Sequence, residues 1–81
     1  MEIKSFYKNQ RELAEALSRV IDKYWCSEIL ENEMIDSIKR IVENNETKVF
    51  TNTSGEFTTV LRQQCGKKRL EVVSKILDRK D

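Results

Sequence analysis

Histidine and proline are absent from this 81-residue chain, glycine occurs only twice, and no apolar run approaches the ~18 residues needed to span a membrane. Without histidine the chain lacks the commonest general base and the commonest metal ligand. Without proline, and with so little glycine, few residues remain to interrupt a helix. The amino end Met1-Glu2-Ile3-Lys4-Ser5 has no apolar core of a secretory leader, so the two cysteines are expected to be reduced thiols in a cytoplasmic protein. These absences argue against an enzyme. Nucleophilic catalysis would fall to Cys26 or Cys65, and Cys65 beside Lys67 and Lys68 reads better as a small buried hydrophobe than as an activated thiolate. Glu31, Glu33 and Asp36 lack the glycine and spacing of a calcium loop and read as a solvated helix face. No catalytic residue, metal or cofactor is expected.

Leu, Ile, Val and Phe make up 22 of the 81 residues, above the level of roughly 20% below which disorder is the default. A folded core follows, in one domain spanning residues 1–81. At this length one core supplies only a few kcal/mol of net stability, so self-association is a standing alternative. The net charge of +1 conceals a split. Residues 1–46 carry 7 Lys/Arg against 10 Asp/Glu, while residues 47–81 carry 8 against 4. Such a chain presents a basic surface to a partner, or pairs its acidic part with the basic part of another copy.

The pattern is mainly α, a small three- to four-helix domain. Asn9 followed by Glu12 resembles a capping box, and Leu13, Leu17, Val20, Ile21 and Tyr24 mark one face of a helix over about 10–25. Ser27 is the next cap candidate, with Glu28, Glu31 and Glu33 near the positive end of a helix dipole. Met34, Ile38, Ile41 and Val42 then make a second apolar stripe that stops at Asn44-Asn45. A link of about three residues implies a helical hairpin. Thr47 to Val60 is β-branched and aromatic around the turn cluster Asn52-Thr53-Ser54-Gly55. It reads as a short β-hairpin near residues 48–58, or as a loop that drops Phe50 and Phe57 onto the helices. From Thr58 or Thr59 a short helix runs to Gly66, ended in the manner of a left-handed cap. A last helix over about 67–79 buries Leu70, Val73, Ile76 and Leu77, widened by Val72. The first few residues and Arg79-Lys80-Asp81 are expected to fray.

Around Gly66 lies the best candidate site. Arg62-Gln63-Gln64-Cys65-Gly66-Lys67-Lys68-Arg69 holds four cations and no acid. Lys67, Lys68 and Arg69 fall at a helix start, where cations oppose the dipole. That small cost is easier to understand if an anion such as phosphate visits. The plain alternative is a solvated turn. A helix-turn-helix frame sharpens the nucleic-acid idea: Leu61, Cys65 and Val72 occupy buried positions and residues 67–75 become the recognition helix, although Arg62 stands where a small residue is wanted. A rival frame starting at Gln10-Arg11-Glu12-Leu13 lacks a following turn. Trp25, about 100° off the apolar stripe, packs at the core edge or marks an interface.

The segment Glu56-Phe57-Thr58-Thr59-Val60-Leu61-Arg62-Gln63-Gln64-Cys65-Gly66-Lys67-Lys68-Arg69-Leu70-Glu71-Val72-Val73 resembles the ending of a group of short, uncharacterised bacterial proteins. The resemblance implies a small bacterial cytoplasmic protein and lends no activity. The expectation is therefore a binding module contacting DNA or RNA phosphates through Arg62, Lys67, Lys68, Arg69 and Lys75, with Arg79 extending the surface. The alternative is a protein-interaction or homo-oligomerising helical module. No membrane partner is expected.

Overall fold

A computed structural model describes residues 6–50 and 56–77. It contains α1 (Gln10–Trp25), α2 (Glu31–Asn44), α3 (Glu46–Val49) and α4 (Thr59–Ile76). The turn cluster 52–55, the chain start and the last residues, Arg79 included, lie outside the described residues. The fold is mainly α, as the periodicity predicts. No described helix is long and apolar enough to cross a membrane.

α1 is the centre of the domain, because each of the other three helices packs against it. Its predicted face is buried at Leu13, Leu17, Val20 and Ile21, and Ala14 and Ala16 are buried beside them. The Asn9 side chain accepts the Glu12 N–H at 2.9 Å, which satisfies one of the amides that a helix start leaves unpaired. At the other end Ser27 does not cap the next helix. It closes this one, with φ 63° in the left-handed region. The Glu28 N–H reaches Lys23 O at 2.8 Å and the Ser27 N–H reaches Tyr24 O at 3.0 Å, the paired bonds of a Schellman ending. The link to α2 is therefore longer than predicted, and Leu30 takes the cap position. Leucine offers no acceptor, so only one half of a capping box forms: Glu33 Oε1 accepts the Leu30 N–H at 3.2 Å.

After α2 the chain turns at Asn45, a buried polar residue. Its side-chain amide donates to Ile41 O at 2.8 Å and its carbonyl oxygen accepts the Tyr7 N–H at 3.2 Å. This ties down the approach to α1 and leaves Tyr7 against the core while Phe6 stays exposed. The β-branched run that follows does not build a ladder among the described residues. Glu46–Val49 forms one helical turn, and Phe50 pairs with Phe57 in a single antiparallel bridge. Their rings lie 5.2 Å apart, tilted by 32°, and both pack partly buried on the core. One bridge is as far as the pairing goes among the described residues, and the helices back both rings, as so short a pairing requires.

Thr58 caps α4 through its hydroxyl, which accepts the Leu61 N–H at 3.4 Å. Within α4 the buried residues are Leu61, Cys65, Leu70 and Val73. Five positions separate Cys65 from Leu70, so in an unbroken helix they would stand about 140° apart. Gly66 resolves the conflict with φ 84° and ψ 167°. The positive φ is as predicted. The ψ is extended rather than left-handed-helical, in a region that essentially only glycine enters. A helix-turn-helix connection takes three or four residues, whereas one glycine breaks α4 here.

Two substitutions test these backbone assignments in opposite directions. A Cβ at Gly66 meets nothing within 4 Å, so Gly66→Ala should destabilise by backbone strain alone, roughly 1–3 kcal/mol. Ser27→Gly should stabilise by about 1 kcal/mol through relief of a left-handed serine. Urea midpoints compare the three proteins, and an unchanged midpoint for Gly66→Ala would remove the strain argument.

Candidate anion-binding groove

The cations around Gly66 do not share one surface. Arg69 turns towards α1, where its guanidinium forms a fork on Asp22: Nε to Oδ1 at 3.0 Å and Nη2 to Oδ1 and Oδ2 at 2.8 and 3.1 Å. Its Nη1 also donates to Cys65 O at 2.9 Å. The same guanidinium lies 5.7 Å from the Trp25 ring centroid, within cation–π range. Trp25 is thus 47% exposed, outside the core cluster, with the guanidinium over its ring. Arg69 spans the break in α4 and ties it to the end of α1.

Beneath the clamp sits Cys65, buried and reduced. The Ser18 hydroxyl donates to its sulfur at 3.4 Å, and the thiol donates to Ala14 O at 3.4 Å. Burial pushes the thiol up from its ordinary value. The Ser18 hydrogen bond and the Arg69 charge oppose that shift, and Asp22 adds to it. A thiol so placed stays protonated at neutral pH and is a poor nucleophile.

On the other side, Arg62, Lys67 and Lys75 line an open groove of about 630 Å³ together with Phe57, Leu70 and Glu71. Leu70 is buried and Phe57 half-buried, so they make an apolar floor, while the three cations and Glu71 are exposed around it. The helix sets this arrangement: residues 67, 71 and 75 follow one another at four-residue intervals on one face. Lys68 is exposed one position away and does not line the groove. Arg62 contacts Glu56 at 2.9 Å, with side chains 56% and 64% exposed. A pair that open to water contributes little and exchanges readily. Lys67, Lys68 and Lys75 have no ion-pair partner among the described residues.

The groove's cations are legible in the sequence, and its other members are less so. Glu71 was legible from helical spacing to Lys67 and Lys75. Phe57 was not, since tertiary contacts of its segment, the bridge to Phe50 among them, put it there. Asp22 lies 47 positions from Arg69, with no local signal linking the two. The Glu31, Glu33 and Asp36 carboxylates are exposed on α2.

Two measurements follow. Asp22→Asn removes the charge of a half-exposed fork and should lower stability by about 1 kcal/mol. It should also shift the emission of Trp25, the single tryptophan; unchanged emission would count against the clamp. In thiol labelling at neutral pH, exposed Cys26 should react fast and Cys65 only on unfolding. Raised in the folded state, the Cys65 thiol contributes stability that is fully present below about pH 9.0 and is lost as pH rises further. Fast modification of Cys65 in the native protein would contradict this.

Neither a curated protein nor a solved structure matches the chain. Residues 4–78 match the model of the family CLB_0814_fam, described as conserved hypothetical protein. With nearly its whole length matched, the chain belongs to that family.

Proposed function

We propose that this protein is a small binding module for nucleic acid, engaging phosphates through Arg62, Lys67 and Lys75 along the groove, with Lys68 beside it. One observation carries the reading: three of those cations are exposed and unpaired among the described residues, and the fourth is held only by a solvent-exposed partner. An unneutralised cluster of this kind attracts a polyanion by releasing its counterions. Arg69, engaged by Asp22 and Cys65, serves the fold in this reading and does not touch phosphate.

A second reading, a protein-interaction or self-associating module, draws on a different feature. Leu30 is 68% exposed in the α1–α2 link, close in sequence to half-exposed Trp25 and to the acidic face of α2. That reading expects a concentration-dependent rise in mass by light scattering without added nucleic acid.

Fluorescence anisotropy with mixed DNA and RNA oligonucleotides tests the first. Four engaged cations limit the slope of log K against log salt to a magnitude of about 3.6 on duplex DNA. The double variant Lys67→Glu, Lys75→Glu changes only exposed side chains, so it should fold normally and bind at least about tenfold more weakly, with a shallower slope. Equal binding by parent and variant, or none by the parent, rules the reading out.

A further inference from the structure

We infer that the groove takes single-stranded nucleic acid, holding an unpaired base against Phe57 and Leu70 while Lys67 and Lys75 bind phosphates on either side of it. This rests on the nucleic-acid reading and narrows it. The groove presents more apolar than polar surface, which phosphates alone have no use for. In a duplex the bases are paired and stacked on one another, so the duplex offers a concave apolar floor nothing to bury. A single strand offers both a regular line of charge and free flat faces. Channels for single strands combine these two elements, cations that follow the backbone and aromatic rings that stack bases.

The spacing is consistent with such a strand. Lys67 and Lys75 are eight residues apart on one helical face, two turns or about 12 Å along the axis, and buried Leu70 lies between them. Phe57 enters from the segment before α4. Its ring is held by Phe50 at 5.2 Å and by the backbone bridge between the two residues, so it is oriented before any base arrives. Arg62 adds charge at the groove, and its planar guanidinium can leave Glu56 for a phosphate or lie on a base face. Glu71, also in the groove, repels a purely phosphate-lined contact but accepts hydrogen bonds from the amino groups of cytosine or adenine. An acidic peptide without aromatic residues offers the ring no flat face, which makes it the less fitting occupant.

The test compares four probes by anisotropy on the full chain: a mixed-sequence 12-mer single strand, its duplex, the same 12-mer with every base replaced by an abasic residue, and a polyglutamate of equal charge. The single strand should bind about tenfold more tightly than the abasic strand, the expected worth of one stacked base, and more tightly than the duplex. Phe57→Leu keeps an apolar floor while removing the ring. It should bring the single strand down to the abasic level, with an unchanged helical circular dichroism spectrum confirming the fold. If the abasic strand or the duplex binds as well as the single strand, the inference fails and phosphate binding stands. If polyglutamate binds as well as any nucleic acid, or no probe binds, both the inference and the nucleic-acid reading fail.

Discussion

The break at Gly66 is the constraint on which the arrangement of this domain depends. Leu61 and Cys65 on one side of it, and Leu70 and Val73 on the other, must all reach the same core. The five-residue interval between the two pairs forbids that in a regular helix. A residue with φ 84° and ψ 167° restores the alignment, and glycine alone adopts it without strain. Because the second half of α4 is re-aimed, Lys67, Glu71 and Lys75 come to line the groove with Phe57, while Arg69 comes to face α1. Core burial and surface chemistry are thus set by one backbone conformation.

The Arg69 clamp holds that conformation. The guanidinium binds the carboxylate of Asp22 on α1 and the carbonyl of Cys65 just before the break, and it lies against Trp25. Arginine suits the position because its planar fork serves carboxylate, carbonyl and ring together, which a lysine ammonium does not. Beneath it the Cys65 thiol fills a space beside α1 and hydrogen-bonds to Ser18 and Ala14. The four cations of one octapeptide therefore divide into separate roles. One is structural, one is loosely paired, and two are exposed without a described partner.

Helix starts and stops show how far local chemistry could be read. Asn9 before α1, Thr58 before α4 and the stop at Asn44 were legible, since each rests on a side chain or a lost period within one turn. Ser27 misled for a specific reason. Serine favours the start of a helix, yet here the Schellman bonds from Ser27 and Glu28 back to Tyr24 and Lys23 outweigh the cost of a positive φ. The run from Thr47 to Val60 misled in part. Its composition favours strands, but the described residues form one helical turn and one bridge, because packing on the helices overrides the weak preference of so short a segment.

The sequence by itself determined the helical class, the apolar face of α1, the position of the break and the identity of the cations near it, because periodicity and glycine's backbone freedom act over a few residues. Tertiary structure decided which of those cations remain available. Whether an arginine meets an aspartate 47 positions away, or a phenylalanine floors a groove beside a distant lysine, depends on how helices cross. Nothing in the local sequence encodes that crossing, since it is fixed by the mutual burial of all the helix faces at once.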